Sequence, residues 1–223
     1  MDDDWLEKRK EKFLQIVEAS DRRLEGLISW PEERRLILLA TDHSYQTGVR
    51  RDTRPPSVRP RWTIQRFQDQ VDLLVQRFEV IAIAEEMSIE GILTAWNMVG
   101  MATGRCPSTY TAESRTGQEI GVRLVDPDTE ERRKFGIVDP GFCELMAGPR
   151  GRNFGRRQDF ALREHFWAER IAEVGRWPLL FVCGSDHRKA FGGLLRKFGV
   201  EVLDVYWNPY NGERKAESNP QEC

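Results

Sequence analysis

Leu179-Leu180-Phe181-Val182-Cys183-Gly184-Ser185-Asp186-His187 decides how the chain is read. Five consecutive apolar residues end at a glycine and two polar residues, which marks a short strand buried on both faces. A helical pattern follows, with Ala190, Leu194, Leu195 and Phe198 as its apolar positions. Working outward, four more short apolar runs occur at 36–40, 78–84, 120–125 and 200–206. Helical patterns lie between them. Phe67, Val71, Leu74, Val75 and Phe78 recur at helix spacing, 89–101 is compatible with a helix, and Phe160, Trp167, Ala168 and Ile171 form another apolar face. Strands alternating with helices predict an α/β fold with a mostly parallel sheet and helices on both faces.

In such sheets ligands bind beyond the carboxyl ends of the strands. The residues that follow each strand therefore matter most. They are Thr41-Asp42-His43-Ser44, Glu85-Glu86, Asp126-Pro127-Asp128 and Gly184-Ser185-Asp186-His187. The chain has three His, and two of them fall there. Imidazoles beside carboxylates can activate water by general acid–base chemistry, and they can also ligate a divalent metal. His43, Glu85, Glu86, Asp126 and His187 are thus the candidate catalytic residues, with His43 and His187 as the candidate metal ligands, for zinc or manganese. The plainer alternatives are helix caps for Asp126, Asp128 and Asp186, and ordinary loop charges for Glu85 and Glu86. Arg163 and Glu164, at the start of the penultimate helix, are candidates for binding substrate; the alternative is a solvated first turn. His165 reads as a packed or surface histidine.

Three segments interrupt the alternation. Residues 46–61 carry Arg50, Arg51, Arg54, Arg59 and Arg61 among prolines, 104–117 is polar, and 136–157 is Gly-rich and basic, with Arg150, Arg152, Arg156 and Arg157. Each reads as a long loop. Arg50 and Arg51 leave the first strand beside the proposed site, and arginine suits bidentate recognition of phosphate or carboxylate. A small anionic substrate, a nucleotide or a nucleic acid would account for these clusters; a solvated loop is the alternative. No Walker A loop and no Gly-x-Gly-x-x-Gly after a strand is present, so ordinary NTP or dinucleotide binding has no support.

The 223 residues suffice for one large domain, which at this size buries roughly 70% of its unfolded surface without disulfide or metal. Seven Trp and eleven Phe oppose disorder. The net charge of −2 implies no polyanion partner by itself. Four Cys without a Cys-x-x-Cys pair indicate free thiols and a reducing, cytoplasmic setting. No apolar stretch approaches the length of a membrane span.

The first segment, 5–28, places Leu6, Phe13, Val17, Leu24, Leu27 and Ile28 on one helical face, with Pro31 beyond it. It reads as an N-terminal amphipathic helix (1–30) before the α/β domain (31–207) and a polar tail (208–223). The helix either packs on its own domain or pairs with a second copy as a homodimer.

The strand-end motifs together resemble the α/β superfamily that includes the TraB and TIKI proteins, the ChaN-like proteins and the erythromycin esterases. Gly184-Ser185-Asp186-His187 matches the Gly-x-x-His element of that group. Thr41-Asp42-His43 matches in part, with Ala40 where a glycine stands, and Glu85 or Glu86 matches the acidic position after the second strand. The likeness spans about 36–206 in scattered short motifs. It implies a hydrolase-like site, metal-dependent in some members. The expectation is therefore a hydrolase acting on an anionic substrate. The alternatives are a nucleotide-binding module and a nucleic-acid-processing enzyme.

Overall fold

The computed structural model describes residues 3–28, 34–100 and 121–209. Its centre is β1 (Arg35–Thr41), whose residues from Leu36 onward are all buried. It is flanked by β6 (Leu179–Gly184) and β7 (Glu201–Tyr206), and the sheet continues from β6 through β4 (Ala82–Glu85) to β5 (Gly121–Leu124). All five strands are parallel. The fold is α/β, as the alternation of apolar runs and helical patterns requires.

Strand alternation divides the core into two layers. Leu36, Leu38, Ala40, Leu179, Phe181 and Cys183 face one side, where Trp167, Ile171, Phe191 and Leu195 cover them. Ile37, Leu39, Ile83, Leu180 and Val182 face the other, under Phe67, Val71, Leu74 and Val75 of α3 (Arg61–Arg77). From β1 the chain crosses by α3 to β4, then by α4 (Ile89–Asn97) to the edge strand β5. It returns by α5 (Thr129–Lys134) and α6 (Pro140–Val174) to β6, then crosses β1 by α7 (Arg188–Lys197) to reach β7. The connections after β4 and β6, which are neighbours, run in opposite directions. That reversal opens a crevice at the carboxyl edge.

The N-terminal helix α1 (Asp3–Ile28) lies along α6. Leu24 and Ile28 enter the main core, while Leu6 meets Ala147 and Phe154. Its polar side is tied down by Arg23 to Glu169 at 2.8 Å and by His165 to Asp21 at 3.2 Å. The apolar face that could have served a dimer is thus occupied within the chain, and His165 is a packing residue.

Several expectations are corrected. The run 78–84 is not all strand: α3 reaches Arg77, Phe78 is its C-cap, and Glu79 turns the chain at φ 51°. Segment 46–61 is no open loop. It finishes the short α2 (His43–Thr47) and forms a two-stranded ribbon, β2 (Val49–Arg50) with β3 (Ser57–Val58). Segment 136–157 is largely α6, broken only at Ala147 and Gly148. Its glycines are there for close contact. A Cβ on Gly151 would overlap the Cys143 carbonyl oxygen, and one on Gly155 would lie 2.9 Å from the Cys143 Cβ. In α7 the buried position is Phe191 rather than the exposed Ala190. Pro31, the polar segment 104–117, Cys106, Cys223 and the tail beyond 209 lie outside the described residues.

Candidate functional site

Glu86 is the hub. It follows β4 and its backbone N–H donates to the Val182 carbonyl at 2.8 Å, which fixes it against β6. Its carboxylate is buried. Oε2 accepts the Gly184 backbone N–H at 2.7 Å, and Oε1 accepts from Arg163 Nη2 at 2.7 Å. The two candidate histidines approach that same Oε1: His43 Nε2 at 3.5 Å and His187 Nε2 at 3.4 Å. These separations are longer than hydrogen bonds but within ion-pair reach.

The histidines come from different elements and different surroundings. His43 opens α2, whose N-terminus is capped by Asp42 accepting from the Ser44 backbone N–H at 2.7 Å. The His43 side chain is 48% exposed, and its Nδ1 lies 2.9 Å from Gln46 Oε1. His187 ends the 3₁₀ turn Ser185–His187 after β6 and its side chain is 3% exposed. Its Nδ1 lies 2.8 Å from Glu164 Oε1, and its ring packs between Phe160 and Trp167. A carboxylate only accepts, so that Nδ1 carries the hydrogen. His43 is therefore the solvent-facing imidazole and His187 the buried one.

Gly184 is needed where it stands. A Cβ there would overlap His43 Nε2 and lie 2.9 Å from its Cε1. The Gly-x-x-His element thus makes room for one imidazole and delivers the other.

Arg163 reaches Glu86 from α6. Its Nε donates to Asp126 Oδ1 at 2.9 Å, its guanidinium sits 4.9 Å from the Trp167 ring, and the Trp167 indole N–H also donates to Asp126 at 3.1 Å. Burial works most strongly against its charge, yet the charges of Asp126, Glu86 and Asp159 with the Asp126 hydrogen bond raise its pKa above the ordinary guanidinium value. Removing one partner of such a buried set typically costs about 3–5 kcal/mol.

Above these groups a cleft of about 590 Å³ opens along the carboxyl edge. His43, His187, Arg163, Phe160, Tyr206 and Arg50 are among the residues that line it. A cleft of that volume suits a small molecule.

The sequence-derived candidates separate as follows. His43, Glu86, Asp126, Arg163, Glu164 and His187 are brought together. Asp126 accepts from Arg163 and from the Trp167 indole, and Glu164 lies against His187 Nδ1. Glu85 is the last residue of β4, fully buried, and alternation turns it to the face opposite Glu86. Arg51 leaves the site and donates to the Gly91 carbonyl at 3.0 Å. Among the described residues no group of three or more His, Cys, Asp or Glu is arranged to hold a metal ion. The carboxylate oxygen that both Nε2 atoms face carries the Arg163 guanidinium, which opposes a second cation there. The residues present thus do not fit the expected His43–His187 metal centre.

Sequence reasoning missed Gln46 and Arg59. Gln46 sits three residues after His43, a helix-neighbour spacing that was available to read. Arg59 is buried, donates to Ser44 Oγ at 2.8 Å and to Asp42 at 3.1 Å, and stacks 4.0 Å over Tyr45. It fastens the ribbon to α2, and only its place among other arginines was visible in sequence.

No protein-family model matches the chain, and no curated protein or solved structure is significantly similar to it.

Proposed function

We propose that the protein is a hydrolase for a small anionic substrate, with His43 as the base that activates water. The observation that supports this best is the meeting of two imidazole Nε2 atoms at one buried carboxylate oxygen beneath an open cleft. His43, half exposed and part of the cleft lining, takes the water proton on Nε2. Glu86 then stabilises the imidazolium that forms. His187, held at Nδ1 by Glu164, is the second imidazole of the cleft lining; in its doubly protonated form, paired with Glu164 and Glu86, it gives its Nε2 proton to the leaving group and is left neutral. Arg163 stays with Glu86 and Asp126 and balances their negative charge beside the two histidines. Arg50, which also lines the cleft and pairs with Asp52 at 2.9 Å near solvent, is the cation that meets an anionic group.

The test is turnover of chromogenic phosphomonoesters, phosphodiesters and carboxylic esters by the wild type and by His43→Asn and Glu86→Gln. A positioned general base contributes about 10²–10⁴-fold, so His43→Asn should lose at least a hundredfold while retaining its thermal transition. Equal turnover in wild type and His43→Asn would overturn the assignment. Ligand-dependent stabilisation with no turnover of any ester would make the cleft a binding site instead.

One observation favours a second reading, a nucleic-acid substrate. Arg150, Arg152, Arg156 and Arg157 are all exposed on α6, the helix whose Phe160 lines the cleft. Arginines beside an exposed aromatic ring suit a single strand. Binding of single-stranded oligonucleotides that weakens steeply with salt would support it, and salt-insensitive or absent binding would remove it.

A further inference from the structure

Gln46 is a buried amide with both ends engaged, and its partners leave no freedom in how it is oriented. One end lies 3.1 Å from the Val182 carbonyl oxygen, the other 2.9 Å from His43 Nδ1. A backbone carbonyl can only accept, so the group facing Val182 is the NH₂. The atom facing His43 is then the amide oxygen, which also can only accept. His43 Nδ1 must therefore carry a hydrogen, and in the neutral ring the lone pair is on Nε2. The reverse orientation would set two acceptors against each other at Val182, in a place closed to water.

The same Val182 carbonyl also accepts the Glu86 backbone N–H at 2.8 Å. One main-chain oxygen of β6 thus fixes both the carboxylate and, through Gln46, the proton of the imidazole that faces it. Histidine in water favours the opposite tautomer, with hydrogen on Nε2. A His43 of that kind would offer the cleft a donor and no base.

From this we infer that Gln46 is a positioning residue that holds His43 as the Nδ1–H tautomer and so makes Nε2 its basic atom. The inference rests on the proposed hydrolase reading only for its consequence in catalysis; the tautomer itself does not depend on any turnover.

The experiment is long-range ¹H–¹⁵N correlation spectroscopy of the imidazoles in ¹⁵N-labelled full chain, at a pH where His43 is neutral. Three His make assignment feasible by single substitution, with His43→Asn identifying its own signals. The expected wild-type pattern is a protonated Nδ1 and a bare Nε2 at His43. Gln46→Leu, which removes the acceptor, should shift the ring toward the Nε2–H form. Finding Nε2–H at His43 in the wild type overturns the inference. An unchanged Nδ1–H signature in folded Gln46→Leu overturns it equally. If the tautomer is as stated but no ester is hydrolysed, the hydrolase reading fails and the positioning role stands.

Discussion

Gly184 shows how much one missing atom can decide. Its φ of −65° is open to any residue, so backbone freedom is not why glycine stands there. The reason is the imidazole of His43, which lies where a Cβ would be. Gly184→Ala must push that ring aside. The ring is the far end of a half-exposed side chain, so the overpacking cost should fall near the low end of the usual 1–3 kcal/mol. The His43–Glu86 geometry should be lost all the same. Denaturant unfolding should show the small loss, and the His43 ¹⁵N signals should shift; an unmoved spectrum would contradict the close approach. At this scale the sequence was only partly legible. His43 and His187 could be found because imidazoles after strands are few. The bonding of Asp126 and Glu164 could not, because which carboxylate meets which cation depends on how α6 lies against the sheet. Glu85 and Glu86 could not be told apart until β4 was known to end at Glu85, which sets the face to which each points.

Among the elements, α6 departs furthest from what its composition suggests. Gly148, Gly151 and Gly155 with Pro149 read as a loop, since glycine lowers helix propensity by about 1 kcal/mol relative to alanine. Packing reverses this. Gly148 at φ 61° makes the break, Pro149 begins the second segment, and Gly151 and Gly155 let it press against the Cys143 turn. Two helix glycines should therefore respond oppositely to alanine. Gly151→Ala meets the Cys143 backbone, which cannot rotate away, and should destabilise by at least about 1–3 kcal/mol. Gly193→Ala, exposed in α7 with open space around its Cβ position, should stabilise by roughly 0.4–1 kcal/mol. Urea midpoints of the two variants measured side by side decide this, and a stabilising Gly151→Ala would refute the close-packing account. The other elements were legible where apolar spacing alone determines burial, as in α3 and β6. Boundaries were not, because the end of α3 is set by a residue in the left-handed region rather than by hydropathy.

Across the whole molecule, the buried carboxylates leave a mark on Cys183. Burial above all, then the Glu86, Asp204 and Glu164 charges, pushes its thiol well above the ordinary value. The unfolded chain releases this proton near pH 8.5, while the folded chain still holds it. Above that pH the native state binds more protons than the unfolded one, so stability must fall as pH rises. Urea midpoints should decline from pH 8 to 10 in the wild type, and less steeply in Cys183→Val. Parallel slopes would show that the thiol is not held protonated by the fold. A related expectation is that native protein leaves Cys183 unlabelled by thiol reagents until it unfolds. The parallel α/β class could be read from the sequence because buried strands are nearly continuous apolar runs. The strand order could not, since all five runs look alike.

That order has a bearing on how the chain is made. β1 (Arg35–Thr41) is made well before both of its neighbours, β6 (Leu179–Gly184) and β7 (Glu201–Tyr206). At ordinary elongation rates of about 5–20 residues per second, roughly 7–28 s separate the synthesis of this apolar strand from that of its first partner. For that interval the ribosome holds a segment with two unsatisfied edges, the kind that pairs with other chains. The arrangement that gathers His43 and His187 around one carboxylate thus leaves the nascent protein dependent on shielding until its carboxyl-terminal strands arrive.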